Sequence, residues 1–169
     1  MSGKDQFLQI RVTPAQKAGI KAQANRAGLD MSSYVLGRAF PAPRAAFEGL
    51  IADLAARPDQ RRFVLAGIND FLAEAGPREF VAATAEPPAA GPPAAELEPY
   101  LANYLAAMVE TAAHRHSLPA PVWTLAIAPV AAPVFGSLLA GLRLHLLTHS
   151  PPAFRRRNIF IDSTIGNRV

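Results

Sequence analysis

The sequence predicts a mainly α protein. One strand and two short helices come first and pair with a second copy. An all-helical region with a short strand-like tail follows. Three observations predict this. Residues 7–12 alternate in the period-two pattern of a strand. Beyond residue 13, apolar side chains recur at helical spacing between proline and glycine stops. Half of the 169 residues are hydrophobic, so a core can be buried, and the sixteen prolines and eleven glycines favour short helices over one long coil.

Composition excludes several chemistries. Without cysteine there is no disulfide, iron–sulfur cluster, cysteine-rich zinc site or thiol nucleophile. A reducing cytoplasm is the expected compartment. The N-terminal residues hold no apolar run followed by a small-residue cleavage site, so no signal peptide is expected. Residues 118–142 carry no formal charge, but Pro119, Pro121, Pro129 and Pro133 interrupt them, and a lipid-exposed helix cannot repair so many lost backbone bonds. The net charge of +4 is unevenly spread: +5 over residues 1–44, −6 over 45–110 and +5 over 111–169. Basic ends around an acidic middle suggest segments with different partners, although an ordinary solvated surface gives the same pattern.

In the strand over residues 7–12, Leu8, Ile10 and Val12 share one face and Phe7, Gln9 and Arg11 the other. Thr13 can cap a helix, and Pro14 suits its first position, where an N–H is not needed. That helix runs to Ala27 and stops at Gly28. Asp30 can cap a second helix from residue 31 to about 40, anchored by Tyr34, Val35 and Leu36 and closed by Pro41 and Pro43. A unit of this size rarely folds alone. Two antiparallel copies of the strand would place Leu8, Ile10 and Val12 of both chains in one core, with Tyr34 and Val35 beside them. Gln9 and Arg11 would then face outward together.

Residues 6–40 resemble the ribbon–helix–helix family of Arc- and MetJ-like repressors and of many bacterial antitoxins. The resemblance lies in Leu-Gln-Ile-Arg-Val-Thr-Pro at 8–14, the helix end at Ala27-Gly28, and the run Gly-Leu-Asp-Met-Ser-Ser-Tyr-Val at 28–35. It implies that Phe7, Gln9 and Arg11 enter the DNA major groove. It also implies that the start of the second helix, Asp30, Met31, Ser32 and Ser33, rests on a phosphate. The family often has serine where this chain has Asp30; a carboxylate there caps the helix but repels a phosphate. Chemistry supports the same roles: a two-stranded ribbon fits the major groove, arginine matches guanine O6 and N7, and glutamine pairs with adenine. A helix N-terminus attracts anions. Lys4, Lys17, Lys21 and Arg38 add non-specific attraction. The alternative is a dimer clasp that binds no nucleic acid.

The organisation expected is residues 1–43 as the DNA-binding and dimerisation unit, 44–86 as a helical segment, 87–95 as a Pro/Ala/Gly linker or loop, and 96–169 as a helical partner-binding region. Within 45–57, Phe47, Leu50, Ile51 and Leu54 form an apolar stripe. Pro58 ends that helix and Asp59 can cap the next, which carries Phe63, Val64, Ile68, Phe71 and Leu72 up to Gly76-Pro77. A short helix through Phe80 and Val81 follows. Residues 97–116 form a long helix with Leu101, Leu105, Met108 and Val109 inward. Another helix is expected over 134–147 with Leu138, Leu139, Leu142 and Leu146 inward. Arg155, Arg156 and Arg157 then precede a strand-like Ile159-Phe160-Ile161.

The segments Pro-Val-Trp at 121–123 and Pro-Ala-Phe-Arg-Arg-Arg-Asn-Ile-Phe at 152–160 resemble uncharacterised bacterial proteins associated with toxin–antitoxin gene pairs, some beside nucleotidyltransferase-like toxins. The resemblance covers about residues 97–165 and supplies no catalytic residues. The three arginines, with Phe160, are the candidate partner-binding set. They can grip an acidic toxin cleft or the acidic middle of the same chain, or form a solvated basic turn.

No enzyme is expected. There is no glycine-rich phosphate loop; His145 and His149 lack the intervening glutamate of a zinc protease; Arg115 between His114 and His116 repels a cation. No metal or cofactor is expected, and Ser117 and Ser137 have no nucleophile setting. Three functions remain open. The leading one is an antitoxin-type transcriptional autoregulator that binds operator DNA through the ribbon and neutralises a cognate toxin through its helical C-terminal region. The second is a relaxosome accessory protein of plasmid mobilisation. The third is a protein-binding module that uses the ribbon only as a clasp.

Overall fold

The computed structural model describes residues 9–39, 42–88 and 97–162. The chain divides into two compact units, Met1–Ala42 and Pro43–Val169.

In the first unit, α1 spans Pro14–Arg26 and α2 spans Met31–Ala39. Thr13 starts α1 through a reciprocal capping box: its hydroxyl accepts from the Gln16 N–H at 3.2 Å, and the Gln16 side chain accepts from the Thr13 N–H at 2.9 Å. Gly28 ends it with φ at +67°, a conformation that costs a residue with a Cβ. Asp30 caps α2. Its Oδ1 accepts from the Ser33 N–H at 2.9 Å and its Oδ2 from the Ser33 hydroxyl at 2.6 Å. The two helices pack together. Among the described residues here only Ala24 is fully buried. Phe7 and Leu8, the start of the expected strand, lie outside the described residues, and residues 9–13 carry no regular structure. A strand is defined by a hydrogen-bonded neighbour, and none of the described residues offers one. Pro43 does not close α2; it is the first residue of α3.

The second unit is helical around α6. Its elements are α3 (Pro43–Ala56), a 3-10 turn (Pro58–Gln60), α4 (Arg61–Glu74), α5 (Pro77–Thr84), α6 (Pro99–Arg115), α7 (Val122–Leu125), β1 (Val134–Phe135), a second 3-10 turn (Ala140–Leu142), α8 (Arg143–His149), α9 (Pro152–Arg155) and β2 (Ile159–Phe160). Helix α3 packs on α4 and α5, while α6 packs on α4, α7 and α9. Phe47, Ile51 and Leu54 of α3 meet Ile68 and Leu72 of α4 and Phe80 of α5 in one core with Leu105 and Val109 of α6. Alanines 106, 107, 112 and 113 are buried too, so α6 is covered on most of its circumference. Arg44 fastens the start of this unit. Its guanidinium donates to the carbonyls of Ala83, Glu86 and Pro87 at the C-terminal end of α5, at 3.3, 2.7 and 2.6 Å. The Ala83 carbonyl is one of the acceptors a helix end leaves unmet, while Glu86 and Pro87 lie just past the end of α5.

Three expectations are corrected. Asp59 caps nothing: it lies inside the 3-10 turn, and α4 starts without a side-chain cap. The helix expected over 134–147 is broken. Val134 and Phe135 pair in parallel with Ile159 and Phe160, and only Arg143–His149 is α-helical. Of the four leucines expected inward, Leu146 is buried, whereas Leu138, Leu139 and Leu142 are exposed. Long-range pairing overrides the local period here. Gly136 sets its N–H on the Phe160 carbonyl at 2.8 Å, where an added Cβ would lie 3.2 Å from the Ile161 side chain. Finally, the strand-like tail is a strand at Ile159–Phe160 as expected, but its partner Val134–Phe135 was not, so the region before the tail is not all-helical.

Candidate nucleic-acid interface

In the first unit the residues expected to read bases project into solvent. Gln9 and Arg11 are exposed, as are Lys17, Lys21 and Arg38. Phe7 and Lys4, the other expected contacts, and Leu8 of the expected dimer core lie outside the described residues. Ile10 and Val12 are 58% and 43% exposed. Two β-branched apolar residues so placed form a face that only another surface can cover. Tyr34 and Val35 are half-buried, and the Arg38 guanidinium stacks over the Tyr34 ring at 5.6 Å. At the start of α2, Met31 and Ser33 are half-buried and Ser32 is exposed. The backbone N–H of Ser33 is already directed at Asp30. A phosphate approaching this end meets both the helix dipole, which attracts it, and the Asp30 carboxylate, which repels it.

The arginine cluster of the second unit is split by burial. Arg155 is exposed. Arg156 is exposed and donates to Glu110 Oε2 at 2.9 Å. Arg157 is buried and grips the molecule from within. One terminal nitrogen donates to Glu110 Oε1 at 2.5 Å and to the Thr124 carbonyl at 2.5 Å; the other donates to Asn103 Oδ1 at 3.0 Å. Asn103 passes the network on to the carbonyls of Pro99 and Ala128, at 2.9 and 3.0 Å. Asn158, in the left-handed conformation at φ +57°, donates to the Val130 carbonyl at 2.9 Å. One ion pair thus joins α6, α7 and the turn after α9. Burial pushes the Glu110 carboxyl up, but hydrogen bonds from Arg157 and Arg156 and the Arg157 charge outweigh it and hold the pKa below the ordinary value. Phe160 is buried and stacks on Phe135 at 5.1 Å between centroids. Of the expected partner-binding residues, Arg157 and Phe160 are therefore internal, and Arg155 and the outer side of Arg156 face solvent.

The Glu110 and Asn103 roles were not anticipated. A signal existed: Glu110 is the only formally charged residue between Glu98 and Arg115, and it interrupts an otherwise apolar stripe. On α8, His145 and His149 stack at 4.2 Å, with Asp162 Oδ2 3.8 Å from His145 Nε2. Among the described residues no helix is long and apolar enough to cross a membrane.

No curated protein and no solved structure matches the chain. The family match stops short of the tail at 97–165, and nothing in it concerns a toxin. The family described as NikA-like, Mobilization protein NikA, matches residues 3–47, the stretch that holds the exposed Gln9 and Arg11, α1, α2 and the start of α3.

Proposed function

We propose that this protein is a DNA-binding accessory of plasmid mobilisation. The observation that carries the reading is the match of residues 3–47 to the mobilization protein NikA, a ribbon–helix–helix DNA-binding protein. Two copies pair through residues 7–12, which covers Ile10 and Val12 and lays Gln9 and Arg11 of both chains on one outer face. That face enters the major groove. Lys17, Lys21 and Arg38 add attraction to the backbone, and Asp30 makes the α2 end a weaker phosphate seat than a serine cap would. Such a protein works in the cytoplasm, where the DNA is. The antitoxin reading uses the same ribbon but also needs a toxin, and no observation favours one.

The test is selection of bound sites from a random duplex library, followed by mobility shifts on the recovered sequence. Arg11→Ala should cost about 1–3 kcal/mol of specific binding and relax the preference at one base pair of each half-site, with the dimer intact by sedimentation. Unchanged sequence preference in that variant would remove Arg11 from base reading. Failure of the wild-type chain to select any sequence would leave the ribbon as a clasp alone.

A further inference from the structure

We draw no further inference here: the strongest candidate, the surface patch of exposed leucines over residues 138–147, carries nothing because nothing in the structure shows what covers it.

Discussion

Arg157→Ala is expected to destabilise the second unit by about 3–5 kcal/mol, the largest effect of any single change in the arginine cluster. The reason is what remains behind. Glu110 is buried, and without Arg157 its carboxylate keeps only the exposed Arg156 and the neutral Thr124 side chain. The Asn103 side-chain oxygen and the carbonyl of Thr124 lose the same donor. Arg157→Lys should not restore stability, because one ammonium cannot reach three acceptors in a planar fork. Arg155→Ala, on the exposed side of the same turn, should change little. Urea unfolding followed through Trp123, whose indole donates to the Thr84 carbonyl at 2.8 Å, measures all three. Equal midpoints for Arg157→Ala and Arg155→Ala would remove the ion pair from the core's support.

The same pair has a pH signature. Because the folded Glu110 pKa is lowered, its contribution is fully present above the ordinary carboxylate pKa. It is lost as the pH falls through the lowered folded value, so the loss begins at about pH 5 and grows below it. Comparing wild type with Glu110→Gln isolates this group. The difference in stability between them should shrink toward acid. A difference that stays constant down to strongly acidic solution would show that Glu110 ionises alike in the folded and unfolded chain.

The second large effect concerns the ribbon. Ile10→Asp should abolish the dimer, because two carboxylates would face each other in the shared apolar core. A cost of about 3 kcal/mol or more corresponds to roughly a hundredfold in the association constant. If the proposed ribbon reads DNA, specific binding should go with it, since each chain would then supply only half of the reading surface. Helices α1 and α2 owe their ends to local caps, so circular dichroism should lose little helix. Sedimentation equilibrium is the deciding measurement: a variant that remains dimeric would mean that Ile10 lies outside the interface.

The legible parts of this molecule were those set by neighbours in sequence. Thr13-Pro14, Gly28 and Asp30 act within one helical turn, and the boundaries of α1 and α2 follow from them. The stripe of α6 was equally clear. Two kinds of feature escaped. The stretch 134–147 carries leucines at helical spacing, but Gly136 and the pairing with Ile159 and Phe160 decide its path, and that partner is more than twenty residues away. In the arginine cluster, three consecutive identical side chains give no period, so nothing in the order of residues singles out Arg157 as the buried one. Only Glu110, alone among apolar neighbours, pointed to a cation from elsewhere. The alternation at residues 7–12 is plain in the sequence, but a strand there depends on a neighbour that a second chain would supply, and residues 9–13 carry no regular structure.

The pairing of Arg157 with Glu110 bears on how the protein is made in the cell. Ribosomes deliver α6 well before the turn that neutralises its carboxylate, so a nascent chain halted in between displays an apolar helix with an uncompensated charge. Chaperones and proteases recognise such surfaces. Prematurely terminated copies should therefore be cleared, while complete chains, once Arg157 has inserted, escape degradation.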